Sequence, residues 1–245
     1  MHVLRLLPVI GLLASLALAS GTAAASGLQV SPVQLTLQAS QNADGLWLSN
    51  TTADPLHAQV RVFKWTQEGG EDKLEPSRDL VISPPMVQLA GNDHQLVRAI
   101  RVGAPPAAGQ PEASYRVIID ELPVGTDGKK GLQFVLRYSV PIYVEPAGGA
   151  ATSSQLQWSM RSDGDHAVLE VKNSGTAHAQ LSAISFTDKA GHRTEINSGL
   201  FGYVLPGATV HWTLKHPLAM FANGGTIEGT VNGEKASQAI SLATR

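Results

Sequence analysis

The sequence predicts an all-β protein built as two β-sandwich domains, the first of them immunoglobulin-like. Three observations predict it. Apolar and polar residues alternate in many short runs, Gly, Pro, Asn and Asp punctuate those runs at short intervals, and no long segment repeats apolar residues with the 3.6-residue period of a helix.

The first 25 of the 245 residues stand apart from this pattern. Arg5 is the only strong charge in the opening five residues, and Leu6 to Ala19 is apolar, broken by Pro8 and Gly11. Ala23, Ala24 and Ala25 then offer a small-x-small cleavage site. This is the pattern of a secretory signal peptide, with the mature chain starting near Ser26. The apolar run is shorter than the ~20 residues of a membrane-spanning helix. No later segment is long and apolar enough for insertion, so a soluble exported protein is expected.

Composition narrows the function. The chain has no cysteine, so an exported domain must rely on its own core rather than on disulfides, and a thiolate zinc site is excluded. The net charge is −2 and no basic run is present, which argues against nucleic acid as a partner.

The first domain is expected over residues 26–146. Leu28 to Leu37 alternates, and Pro32 inside it implies an edge strand or a strand that switches sheets, because proline cannot donate a ladder hydrogen bond. Gly45 to Asn50, His57 to Trp65, Leu80 to Ser83 and His94 to Val102 follow as strands, with a hairpin turn at Gly69 to Asp72 and a bend at Pro84-Pro85. Tyr115 to Leu122 ends at Pro123, and after a charged loop Leu132 to Val144 reads as one long strand. About seven strands with turns between them describe an immunoglobulin-like sandwich. A small-residue linker over 147–154 leads to a second sandwich over 155–245. Its strands are expected near 156–160, 167–172, 179–186, 210–214, 225–231 and 236–242, with Asn232-Gly233 as a two-residue hairpin turn.

Catalytic chemistry is not legible. The eight histidines show no HExxH and no spacing with acids that would hold a metal, and no nucleophile elbow, phosphate loop or dinucleotide fingerprint occurs. Asp120 and Glu121 are neighbours in a strand and point to opposite faces, which makes a poor acid–base pair. No enzyme, cofactor or metal is expected.

Several segments in this order carry a resemblance. They are Leu28 to Leu37, Leu48-Ser-Asn50 with the Val60 to Trp65 strand, and Asp79-Leu-Val-Ile-Ser-Pro-Pro85. Leu89, Gln95-Leu-Val-Arg98, Tyr115-Arg116, Glu121-Leu-Pro123 and Leu132 to Val144 followed by Pro146 complete them. Together they resemble the periplasmic pilus-assembly chaperones of the chaperone–usher pathway, and Arg137 to Tyr143 looks like the archaic branch. The resemblance implies a boomerang of two immunoglobulin-like domains and residence in the periplasm. It also implies partners of two kinds, pilus subunits and an outer-membrane usher. Such subunits lack one strand, and the chaperone lends its own by β-augmentation. Leu132, Phe134 and Leu136 have the required period of two and are the expected donor residues. An ordinary strand packing its own core is the competing reading of the same residues. The loop Gly125 to Gly131 would order on subunit binding, and an exposed donor strand invites a self-capping dimer.

The family's basic pair, which grips the subunit's C-terminal carboxylate in the interdomain cleft, falls near Gln34 and Pro141, and neither is basic. A carboxylate in a cleft still wants a cation. Arg98 is the first candidate, then Arg101 and Arg137. Arg98 and Arg101 are three apart in a strand and face opposite sides. Two other classes compete with the chaperone, an exported two-domain structural or adhesive pilus component and a β-sandwich enzyme.

Overall fold

The computed structural model describes residues 27–123, 134–149 and 151–243. The expected signal segment, the loop Gly125 to Gly131 and the donor candidate Leu132 lie outside the described residues.

Ten strands fill the first half of the described residues. They are β1 (Leu28–Ser31), β2 (Leu35–Leu37), β3 (Ala43–Asn50), β4 (Leu56–Glu68), β5 (Glu71–Pro76), β6 (Leu80–Ser83), β7 (Met86–Leu89), β8 (His94–Arg101), β9 (Ala113–Leu122) and β10 (Arg137–Val144). One sheet has the order β1–β3–β8–β6, and the other β2–β10–β9–β4–β5 with β7 on the start of β4. The opening run is thus two strands on two sheets. Pro32 sits at the switch, where the missing N–H costs no ladder bond. Alternate residues of both sheets, among them Leu46, Leu48, Val97, Val117, Ile119, Val140 and Ile142, meet in one core.

Eight strands form the second half: β11 (Leu156–Asp163), β12 (His166–Asn173), β13 (Ala179–Asp188), β14 (Arg193–Val204), β15 (Thr209–Pro217), β16 (Gly225–Val231), β17 (Glu234–Ile240) and β18 (Leu242–Ala243). A short 3-10 turn, Leu218–Phe221, follows β15. The sheets run β15–β12–β11–β18 and β14–β13–β16–β17. The sequence reading finds no strand over β14. The reason is physical: its register with β13 shifts three times around Ala183, whose φ is 52°, and such bulges destroy the period of two. Asn232 and Gly233 join β16 to β17 with φ 51° and 85°, as a two-residue turn of the primed type requires.

Each sandwich is tied by a buried asparagine at the end of a central strand. Asn50, at the end of β3, donates through Nδ2 to the carbonyls of Asp54 and Ala90, and its Oδ1 accepts from the N–H and hydroxyl of Thr52. Asn173, at the end of β12 and fully buried, donates to the carbonyls of Ala177 and Val204 and accepts from the N–H groups of Gln155 and Gly175. One amide thus pins two loops in each domain.

The two halves are welded. Trp65 from β4 and Tyr143 from β10 leave the outer face of their own sheet and belong to the core of the second sandwich, 2% and 0% exposed. Burying side chains of this size contributes about 1.5–3 kcal/mol each. Beside them the Gln67 amide acts as a strand partner, accepting from Leu205 N–H at 2.8 Å and donating to Tyr203 O at 2.9 Å.

Replacing Asn173 with alanine strands the buried carbonyls of Ala177 and Val204 and the buried N–H of Gly175. It is expected to cost about 3 kcal/mol, read as a lowered urea midpoint with an unchanged slope.

Candidate functional site

β10 has two unequal edges. On one side it pairs with β9 along its whole length, from Arg137 opposite Asp120 to Val144 opposite Ala113. On the other, β2 pairs in parallel with Ile142–Val144 alone. From Arg137 to Pro141 the outward backbone groups therefore have no strand partner among the described residues. Unpaired edges of this kind are templates for another chain.

The segment just before this edge is apolar and open to solvent. Phe134 is 66% exposed and Val135 53%, while Leu136 is half-buried. The sequence reading extends one strand from Leu132, yet the strand begins at Arg137. β9 ends ahead of Pro123, so residues before Leu136 find no ladder on that side. The last link is at Leu136, whose carbonyl accepts from Glu121 N–H at 2.9 Å and whose N–H donates to Glu121 Oε2 at 3.1 Å. Tyr138 anchors the inner face by donating its hydroxyl to Leu28 O at 2.6 Å.

Charge fixes the outer face. The Asp120 carboxylate accepts from Arg61 at 2.6 Å and from Arg137, joining β4, β9 and β10. Burial pushes its pKa up, but the hydrogen bonds and charges of Arg137 and Arg61 outweigh this and hold it below the usual carboxylate range.

The three arginines read from the sequence stand in three places. Arg137 is committed to Asp120. Arg101 lines a cavity of about 720 Å³ between the sandwiches, with Lys64, Glu112, Tyr115, Leu205 and Pro206 among the other walls. Its guanidinium donates to the carbonyls of Ala39, Gln41 and Gly103 and to Asn42 Oδ1, so it staples loops together. Arg98 lies exposed on the outer face of the other sheet, its side chain making no ion pair or hydrogen bond among the described residues, and the structure brings the three arginines to no common point.

A fourth arginine, quoted from the sequence only as part of the resemblance, is not among the anchor candidates. Arg116 pairs directly across from Pro141, the position where the resemblance calls for a basic residue. It is 8% exposed. Its guanidinium lies 3.7 Å from the Trp65 ring and 4.7 Å from the Tyr203 ring, one aromatic from each sandwich, and it donates to Ser139 O at 3.3 Å. Alternation in Tyr115-Arg-Val117 places Arg116 on the face away from the first core, which is the signal that could have found it. Nearby, Tyr143 stacks on His178 at 3.5 Å, and Glu112 Oε1 meets both His178 Nδ1 and His178 N–H at 2.7 Å. Burial, foremost, pushes the Tyr143 hydroxyl well above the usual phenol range.

The family of pili and flagellar-assembly chaperones, by its PapD N-terminal domain, matches residues 27–150. No curated protein is matched. Among solved structures the chain is similar to the CsuC–CsuE chaperone–tip adhesion subunit pre-assembly complex from archaic chaperone-usher Csu pili of Acinetobacter baumannii. That match has 26% identity over 89% of this chain and 99% of that one, with a TM-score of 0.68. The Salmonella enterica SafA pilin complex with the SafB chaperone matches at 20% identity over 88% and 97%, with a TM-score of 0.62. The E. coli chaperone DraB matches at 17% over 89% and 97%, with a TM-score of 0.59. At those last two identities the likeness is one of fold. A family match across half of the sequence, on the sandwich that carries the open edge of β10, decides the assignment: the chain belongs to the pili and flagellar-assembly chaperone family.

Proposed function

We propose that this protein is a periplasmic chaperone that caps a pilus subunit by lending it a strand and presents it to an outer-membrane usher. The observation that carries the reading is the open edge of β10 from Arg137 to Pro141, preceded by exposed Phe134 and Val135. A subunit lacking one strand gains backbone partners from that edge and fills its groove with Phe134 and Leu136, and with Leu132 upstream. The same pairing removes an aggregation-prone edge from both proteins. The likeness to a chaperone–subunit pre-assembly complex supports this reading, and the family is one of chaperones rather than of enzymes.

Arg116 is the anchor for the subunit's C-terminal carboxylate. It lies next to Pro141 in register, at the junction of the two sandwiches, and its rings leave guanidinium N–H donors beyond the one given to Ser139. Arg98, Arg101 and Arg137 are the alternatives from sequence, and the commitments of Arg101 and Arg137 favour Arg116 over both.

Three outcomes are expected. In periplasmic co-expression with a co-encoded subunit, Phe134→Asp abolishes the one-to-one complex while its own circular dichroism and melting are unchanged. Recovery of an intact complex would remove Phe134 from the donor set. Arg116→Gln weakens capture on the order of tenfold or more. A subunit with a blocked C-terminal carboxylate binds wild type and Arg116→Gln equally, whereas a persisting difference would assign Arg116 to the domain junction alone. Asp120→Asn tests the charge cluster. A depressed carboxyl pKa stabilises the fold above the unfolded value near ~3.9 and loses that contribution as pH falls through the folded value. Urea midpoints of wild type and Asp120→Asn should therefore differ at pH 7 and draw together only as the pH falls below ~3.9 through the lowered folded value.

A further inference from the structure

The second sandwich reaches Arg116 with one side chain, Tyr203, and that side chain is fixed at three points. Its carbonyl accepts from Gln67 Nε2 of the first sandwich at 2.9 Å. Its hydroxyl accepts from Nε2 of Gln180, the residue opposite it on β13, at 3.0 Å. Its ring meets the Trp65 ring edge-on, with centroids 5.4 Å apart and planes at 84°. The Arg116 guanidinium lies 4.7 Å from the Tyr203 ring and 3.7 Å from the Trp65 ring. Each sandwich therefore supplies one aromatic wall, Trp65 from β4 and Tyr203 from β14, and Arg116 on β9 rests against both.

Aromatic faces suit the flat, delocalised guanidinium better than any other cation. They attract its charge without using its N–H donors, of which one goes to Ser139 O. A long side chain that is still mobile loses rotamer freedom when it binds, and affinity falls by that amount. Between two fixed rings the loss is taken before any ligand arrives. The charge is also kept open. Glu112, Ser114 and Arg116 alternate along one face of the chain and are all buried. Yet the Glu112 carboxylate is taken by His178, through Nδ1 and through N–H, both at 2.7 Å. Among the described residues no carboxylate pairs with Arg116. The ring that holds the cation and the imidazole that occupies the acid on its face both come from the second sandwich.

We propose that Tyr203 is a positioning residue for subunit capture: the second sandwich holds the Arg116 guanidinium in place for the subunit's terminal carboxylate. This rests on the reading of Arg116 as that anchor. It gives the second sandwich a part in recognition that needs no contact between Tyr203 and the subunit.

The test uses the mature full-length chain and a co-encoded subunit prepared with its C-terminal carboxylate free or amidated. Affinity is measured as the subunit is diluted out of denaturant into chaperone. Tyr203→Leu should weaken capture of the free-carboxylate form by on the order of tenfold and bind the amidated form as wild type does. Tyr203→Phe keeps the ring and should stay within about twofold of wild type. The Arg116→Gln, Tyr203→Leu double variant should bind no worse than Arg116→Gln alone, because Tyr203 acts through Arg116. Tyr203→His is the second variant should Tyr203→Leu not fold. Its ring stays, but the proton it gains between about pH 8 and about pH 5 repels Arg116. Capture of the free-carboxylate form relative to wild type should fall over that range. An unchanged ratio would overturn the inference. So would equal loss of both subunit forms in Tyr203→Leu, which would leave Tyr203 a role in the domain junction alone. Wild-type capture by Tyr203→Leu beside a carboxylate-specific loss in Arg116→Gln would overturn the inference and keep the anchor. Wild-type capture of both forms by Arg116→Gln would remove the anchor and the inference with it.

Discussion

The burial of Ile142–Val144 is the constraint on which the rest of the structure depends. These residues are closed off on every side: β9 on one edge, β2 on the other, the first core under Ile142 and Val144, and the second core around Tyr143. One strand end therefore belongs to two hydrophobic cores. Among the described residues, the other end of the same strand has a partner on one edge only. A strand that is fixed at its C-terminal end and open at its N-terminal end can offer backbone groups to another protein without losing its own place.

Polar chemistry follows the same division. Around the fixed end, charged and amide groups are buried or half-buried and paired across the two sandwiches: Gln67 with the Tyr203–Leu205 backbone, Glu112 with His178, Arg116 with Trp65 and Tyr203. Low-dielectric surroundings make such contacts directional and costly to leave unmade, so they fix orientation more than they add stability. Around the open end the charges are at the surface. Asp120 holds Arg61 and Arg137 with both arginines substantially solvated, which pins the first residue of β10 while leaving its edge clear.

The two sandwiches solve the same local problem in the same way. Asn50 and Asn173 each end a central strand, and each spends all four of its hydrogen-bonding sites on neighbouring loops. The domains differ in their edges among the described residues. The first has the open β10 edge and exposed Phe134. The second has an apolar groove beside β11, and its irregular β14 lends Tyr203 to the junction.

Alternation and turn chemistry made the all-β class, the hairpins at Gly69-Gly70 and Asn232-Gly233, and the sheet switch at Pro32 readable from the sequence, because each rests on residues adjacent in the chain. The apolar period at Phe134 and Leu136 was readable for the same reason. The strand β14 was not, because bulges opposite Ala183 erase the period. Nor was the pairing of Arg116 with Trp65 and Tyr203, whose parts are 51 and 87 positions from it in the chain. Whether an alternating run packs its own core or stays open is likewise invisible to the sequence: Val140 and Ile142 are buried and Phe134 is not, although all three continue one apolar rhythm. That depends on which strands end beside it, and only the tertiary structure decides it, because an edge is defined by the absence of a neighbour rather than by any residue of its own.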